Sequence, residues 1–408
     1  MFNPGQILVG LEIGTSKICV AVGEVTDAGE LTITGFGQAR SRGVLKGEVV
    51  DVEKAGEDVR EALAQAEDMA DVEIEGVFLA VTGNHIRALN NRGVHSIPTV
   101  DRKITEEDAH EALRNAKGNN CPAGYEIVDS VRQDFRVDQH SVYENPVGVV
   151  GSRIEASVHV IQGNSRKMDL SRRAVEGPTP VRVEKAVFSG LASALAVLTT
   201  EQKDHGALVL DIGGGTTEYA LFQKGLLRHS GVLAVGGDHV SNDLALGLDI
   251  PLSLAEELKL TLGAAIIVDP DAERAVHTIP GIQGLPERRV SLAHLHRIMA
   301  LRWEETLELI ARELAESQWL RQARAGIFLC GGGARTPGLD ALARRIFQLP
   351  VAYGHVQNVS GPMDVLENPE FATAIGLVRY GAMRSRQQPR RWSFPLLGSL
   401  APRFGRQN

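Results

Sequence analysis

Cysteine is scarce in this chain: Cys19, Cys121 and Cys330 are scattered and odd in number. Three such residues make neither a disulfide framework nor a zinc site, and they read as buried thiols of a reducing compartment. Basic charge is not in excess. The 43 Lys and Arg against 51 Asp and Glu leave a net charge of −8, which excludes a broad basic surface and argues against nucleic acid as a partner. No apolar run approaches the roughly 20 residues of a membrane-spanning helix. The opening residues MFNPGQILVG pass directly into a strand-like segment, without a charged region ahead of an apolar one. No export signal is therefore expected, and the protein is expected to stay inside the cell. What remains is a globular composition, 43% hydrophobic and 23% charged, in a chain of 408 residues. That length exceeds one ordinary core and calls for two lobes or more.

Glycine, by contrast, is concentrated where it matters. Three hydrophobic strands end in glycine-rich turns: ILVGLEIGTSK (7–17), ALVLDIGGGTTEYALF (207–222) and GIFLCGGGARTPGL (326–339). Such turns present backbone N–H groups with no side chain in the way, as a phosphate or ribose requires at close range. The first two repeat a strand–turn–strand plan, which implies two similar halves closing around one nucleotide. Gly14, Thr15, Ser16 and Lys17 would face Gly213, Gly214, Gly215, Thr216 and Thr217 and hold the β- and γ-phosphates of ATP. Glu12 and Asp211 end the preceding strands, where they either hold Mg²⁺, chiefly through water, or merely satisfy turn amides. Lys17 reads equally as a phosphate partner or a solvated strand residue. Gly331, Gly332 and Gly333, with Arg335, suit the base and ribose.

Between these turns the pattern alternates strand and helix. A helix is expected over 52–69, a buried strand over 77–82, and a change of character over 85–165, with a turn at Asn90–Gly93 and a helix capped by Thr105 with Asp108 at its capping-box position. Gly237 opens a helix, a long helix runs from Ser291 to about Leu320, and Ala372–Tyr380 closes the globular part.

The ordered trio of turns is similar to the phosphate and adenosine motifs of the actin-like ATPase superfamily. Within it the chain resembles the FtsA family of bacterial cell-division proteins, over SRGVLKGEVVD (41–51), NPVGVVGSRIEASVHVI (145–161), FSGLASALAVL (188–198), LRHSGVLAVGGDHVSNDLA (227–245) and AEELK (255–259). The resemblance implies an α/β, actin-like (ribonuclease-H-like) two-lobed fold with a small α/β insert and a C-terminal amphipathic membrane segment. It divides the chain into a first lobe (1–84, 166–200 and 368–384), an insert (85–165), a second lobe (201–235 and 316–367) with an outer part (236–315), and a linker and tail (385–408). It implies ATP and Mg²⁺ as cofactors, with Glu256 and Lys259 at positions that contact the adenosine in relatives; an exposed i,i+3 ion pair is the other reading of the same two residues. Efficient ATPases of this superfamily start a first-lobe helix with a Glu or Gln that orients the attacking water. Here Phe188 and Ser189 stand there, so hydrolysis is expected to be slow or absent. Glu218 replaces an Asp frequent in relatives, with little consequence expected.

The implied partners are the protein itself in filaments, later division proteins, and the C-terminal peptide of the tubulin-like protein FtsZ, with Arg297, Arg302 and Trp303 offered to that peptide. The implied location is the cytoplasmic side of the cell membrane, at the division septum. After Glu370 there is no acidic residue but seven arginines. Arg390, Arg391 and Arg403 flank Trp392, Phe394, Leu396, Leu397, Leu400 and Phe404, a composition suited to an interfacial helix on anionic lipid, although Pro402 limits its length. Two alternatives remain: an adaptor like PilM of type IV pili, and an actin-fold ATPase or kinase.

Overall fold

The computed structural model describes residues 6–26, 29–98, 102–118, 121–138, 141–266, 275–279, 287–316 and 319–387. The first sheet begins with three antiparallel strands, β1 (Gln6–Ile13), β2 (Lys17–Val25) and β3 (Leu31–Arg40). A short hairpin, β4 (Val44–Leu45) and β5 (Glu48–Val49), precedes helix α1 (Val52–Ala70) and strand β6 (Gly76–Val81). Then comes the insert, β7 (Arg87–Ser96), α2 (Glu106–Gly118), β8 (Tyr125–Val137), β9 (Ser141–Tyr143) and β10 (Arg153–Asn164). The chain returns through α3 (Ser165–Glu176), β11 (Arg182–Phe188) and α4 (Ser189–Val197).

The second half follows with α5 (Thr200–His205), β12 (Ala207–Ile212), β13 (Thr217–Gln223) and β14 (Leu226–Leu233). Helices α6 (Gly237–Leu248) and α7 (Leu252–Leu262), strands β15 (Val276–Ile279) and β16 (Arg288–Ser291), and the long helix α8 (Leu292–Glu316) form its outer part. Strand β17 (Gly326–Cys330), helix α9 (Leu339–Phe347), strand β18 (Val351–Tyr353) and helix α10 (Met363–Leu366) continue it, and helix α11 (Ala372–Gln387) packs back on the first sheet.

Two sheets share one plan. The first is ordered β3-β2-β1-β6-β11 and the second β14-β13-β12-β17-β18; in each, the first three strands are antiparallel and the last two add in parallel. Central strands buried on both faces read as continuous apolar runs, and Ile18 to Val22 are accordingly all fully buried. The duplication expected from the two strand–turn–strand segments thus extends to whole sheets.

Three local expectations are corrected. Asn90–Gly93 is not a turn but the middle of β7, because Asn90 spends its amide on other strands: its Nδ2 donates to Arg228 O of β14, in the second sheet, at 3.1 Å and its Oδ1 accepts from Gln133 of β8 at 3.1 Å. Cys121 is exposed, whereas Cys19 and Cys330 are buried as expected. Helix α11 continues to Gln387, past residue 385, where a linker was expected; no helix breaker intervenes before Pro389. The predicted cap of α2 is present, with Thr105 N donating to Asp108 Oδ2 at 2.8 Å and Asp108 N to Thr105 Oγ1 at 3.3 Å.

Candidate functional site: a cleft between two phosphate-type turns

Each sheet brings one hairpin turn to the cleft. In the first, Gly14 N donates to Lys17 O at 3.0 Å; in the second, Gly213 N donates to Thr216 O at 2.8 Å. The turns close on their own backbone, so Glu12 and Asp211 are not needed to satisfy these amides. The turns also touch. A Cβ on Gly215 would stand 2.5 Å from Thr15 Oγ1 and 2.7 Å from Lys46 Cα, which leaves room for glycine alone. Thr15 Oγ1 in addition accepts from Gly47 N at 2.9 Å, tying the β4–β5 hairpin to the same place.

Glu12, Thr82, Ser189, Asp211, Glu218 and Glu370 line the cleft together with both turns. Its electrostatics are lopsided. Burial, reinforced by neighbouring Asp211, pushes the Glu12 carboxyl up to about 8, against an opposing pull from Lys17. Burial and Asp211 push Glu218 up to about 7, opposed by hydrogen bonds from Thr82 and Thr216. Burial raises Asp211 too, despite the hydroxyl of Thr373, which donates to Oδ2 at 2.8 Å. The lining lysine, Lys17, is already engaged: its Nζ bonds Glu370 and lies 5.1 Å above the Phe371 ring. It is thus neither a solvated strand residue nor a free cation. Three carboxyls, Asp211 and Glu218 buried and Glu12 half-buried with its Oε2 enclosed, sit around little compensating charge and hold their ionised form only with a cation nearby. Glu12 Oε2 is buried without a hydrogen-bond partner, as an outer-sphere ligand of a hydrated ion would be. Among the described residues no group of three acidic, His or Cys side chains is arranged to hold a metal directly.

The third turn backs onto the second. Gly331 has φ 83°, and a Cβ there would stand 2.4 Å from Asp211 Oδ1. Gly332 also lines the cleft, Gly333 packs against Ile212, and Arg335 reaches Glu370 at 3.4 Å from an otherwise exposed position. At the N-terminus of α6, Gly237 N donates to Gly213 O at 3.0 Å. Lys259 Nζ donates to Gly237 O at 3.1 Å and to Glu256 Oε2 at 2.6 Å; its side chain is 11% exposed and that of Glu256 42%, so the pair is buried at the lysine and open to solvent at the carboxylate.

Some expected participants do not reach the cleft. Thr217 is fully buried and its hydroxyl donates to Val235 O at 2.8 Å, because strand alternation turns Thr216 inward and Thr217 away. Phe188 is a fully buried core residue, and Ser189 alone of the pair faces the cleft, its Oγ buried and unpartnered. Glu218, from which little consequence was expected, is part of the cleft wall. Thr82 and Glu370 were missed, although Asn368-Pro369-Glu370 carries a helix-start signal.

On the outer part of the second half, the three peptide-binding candidates separate. Trp303 is 1% exposed and sits in the core with Leu295, Met299 and Leu307, so it offers no surface to a peptide. Arg302 is anchored to α6, its Nε 2.5 Å from Asp243 Oδ2, and also bonds Glu305. Arg297 lies in a different groove, shared with Ile266, Leu301 and Arg345. The tail residues Arg390, Arg391, Trp392, Phe394, Leu396, Leu397, Leu400, Arg403 and Phe404 lie outside the described residues.

Comparison with known proteins gives this geometry a family. The family profile "Cell division protein FtsA" matches residues 208–376, and "SHS2 domain inserted in FTSA" matches 83–162. The chain is 35% identical to the cell division protein FtsA of Pseudomonas aeruginosa over 93% of this chain and 90% of that one, and 36% identical to that of Escherichia coli K12 over 92% and 90%. Among solved structures, the PilM-PilN type IV pilus biogenesis complex superposes with a TM-score of 0.67 at 17% identity, covering 93% of this chain and 99% of that one. MreB 5 of Spiroplasma citri bound to AMPPNP superposes at 0.55 and 14%, covering 93% and 97%. These two likenesses establish an actin-like fold, and the sequence relatives establish more: the chain belongs to the FtsA family of cell division proteins.

Proposed function

We propose that this protein binds Mg-ATP in the cleft between the two turns, assembles into filaments on the cytoplasmic face of the cell membrane at the septum, and tethers FtsZ there for later division proteins to join. One observation carries the nucleotide part: paired glycine turns from two equivalent sheets meet over three carboxyls with raised pKa values that call for a cation. Glu12 and Asp211 would hold Mg²⁺ through its water shell, and the ion would neutralise phosphate charge as the turns bind it. Lys17 would exchange Glu370 for a phosphate oxygen. Gly237, Lys259 and Glu256 on one side, and Gly333 with Arg335 on the other, would bracket the adenosine.

Turnover is slow in this reading. Ser189 can hydrogen-bond a water but is a weak base, and Glu218 is already engaged by the Thr82 hydroxyl. The FtsZ peptide would meet Arg302, which would exchange Asp243 or Glu305 for an acidic anchor of the peptide; Trp303 would support that face from beneath. The tail would supply the membrane contact, each arginine contributing roughly 1 kcal/mol on anionic lipid.

Co-sedimentation with anionic liposomes and ATP tests this, comparing the full chain with one ending at Ser385. Loss of liposome binding with nucleotide binding retained is expected. Equal sedimentation of the two would refute the tether, and absence of ATP binding in both would refute the cleft assignment.

A further inference from the structure

Ser189 is presented to the cleft by the first turn of α4, and that turn has no cap of its own. The N-cap residue is Phe188, whose side chain accepts nothing, and the first N–H groups of a helix need partners from outside. The partner comes from the insert. Asp129, on β8, accepts from Phe188 N at 3.0 Å through Oδ2 and from Tyr380 O–H at 3.0 Å through Oδ1, with Lys185 Nζ 3.6 Å away. Asp129 is 5% exposed. The carboxylate thus joins three elements, β8, α4 and α11, at a point one residue before the unpartnered Ser189 hydroxyl. A negative charge here also suits the positive end of the helix.

The same strand reaches the other half of the molecule. Gln133 Nε2 donates to Leu227 O at 2.7 Å, and Asp134 pairs with Arg228, both on the edge strand β14. Beside them His159, fully buried, bridges Asn90 Oδ1 at 2.7 Å and Ser230 Oγ at 2.8 Å. Strand β8 is therefore fixed to the cleft wall at Asp129 and to the second half at Gln133 and Asp134.

We infer that Asp129 is a positioning residue of the nucleotide site: it holds the start of α4 so that the Ser189 hydroxyl stays aimed into the cleft, and it makes the state of the insert felt there. This rests on the reading of the cleft as an ATP site. A partner that displaces the insert would release the Asp129–Phe188 bond and with it the Ser189 hydroxyl.

The test uses full-length protein and the variants Asp129→Ala, Asp129→Asn, Ser189→Ala and Asp129→Ala with Ser189→Ala. In nucleotide-free protein, hydrogen exchange at the Phe188 amide should rise about tenfold in Asp129→Ala relative to wild type. With ATP, Asp129→Ala and Ser189→Ala should each slow single-turnover hydrolysis about tenfold, and the double variant no further, because Asp129 acts through the Ser189 hydroxyl. Affinity for ADP should stay within about twofold. Asp129→Asn, which keeps one acceptor and the side-chain shape, should fall between and provides the measurement if the alanine variant does not fold. Unchanged Phe188 exchange, or losses that multiply in the double variant, would overturn the assignment. A wild-type protein that binds no nucleotide would refute the ATP reading, while the exchange measurement would still decide the role of Asp129.

Discussion

Replacing Glu12 by Gln should stabilise the nucleotide-free protein, and more so as the pH rises. The Glu12 carboxyl moves from 4.5 to about 8 on folding. The folded chain therefore holds a proton that the unfolded chain releases between those values. Stability from this group is complete below about pH 4.5 and is lost as the pH climbs through the window to 8. At 1.36 kcal/mol per unit, the loss between pH 5 and 8 amounts to about 4 kcal/mol from Glu12 alone, an upper bound because Asp211 and Glu218 share the titration. A Gln keeps the shape and carries no charge to bury. Thermal unfolding midpoints at intervals from pH 5.5 to 8.5, without nucleotide or divalent ion, measure the slope. The wild-type midpoint should fall by up to about 5 °C over that range, the variant clearly less, and Mg-ATP should restore much of the wild-type loss at pH 8 but little in the variant. Parallel slopes for the two proteins, or a wild-type midpoint that rises with pH, would refute the burial of this carboxyl as the cause.

Gly331→Ala would place a Cβ 2.4 Å from Asp211 Oδ1 at φ 83°; a destabilisation of about 1–3 kcal/mol and a marked loss of nucleotide affinity are expected by denaturant titration and equilibrium binding. His159 is held neutral by burial, which lowers its pKa to about 3, so its contribution should be lost as the pH falls below about 6.5; in Glu12→Gln, whose high-pH loss is reduced, the midpoint should decline on the acid side, and His159→Gln should flatten that decline. Arg302→Glu should set a carboxylate beside Asp243 and Glu305 and cut affinity for an FtsZ tail peptide at least tenfold by fluorescence anisotropy, with thermal stability lowered by about 1–2 kcal/mol from the broken pair; unchanged affinity would remove Arg302 from the interface.

Much of the core of each sheet was legible because its strands are short apolar runs punctuated by glycine. Helix α1 and strand β6 fall within a residue of the expected 52–69 and 77–82, and both hairpin turns stand where the glycines place them. The pairing of the sheets was legible too, since the second half repeats the sequence plan of the first. What escaped were contacts between distant segments. Glu370 meets Lys17 across 353 positions, and Thr373 meets Asp211 across 162; no local pattern announces such a pair. Asn90-Asn91-Arg92-Gly93 reads as a turn because asparagine and glycine lead turns when their amides are free. In the fold they are not free: Asn90 is drawn into a network with Gln133, His159 and Arg228.

Trp303 was a different kind of miss, because the signal lay in the sequence. Leu295, Met299, Trp303, Leu307, Ile310 and Leu314 recur at spacings of three and four, the stripe by which a helix faces a core, and all six are fully buried or within 1% of it. A large aromatic on that stripe belongs to packing before it belongs to recognition. Arg302, one position off the stripe, is turned by about 100° toward α6 and keeps its charge at the surface through Asp243. The two neighbours therefore divide the work: removing the Trp303 ring should cost about 3–5 kcal/mol of stability whatever the peptide does, whereas Arg302 should govern peptide affinity. If Trp303→Phe, which keeps most of the buried volume, leaves FtsZ-peptide affinity within twofold while Arg302→Glu abolishes it, recognition lies on the charged face; if the tryptophan variant also loses the peptide at unchanged stability, the helix must turn that ring outward on binding.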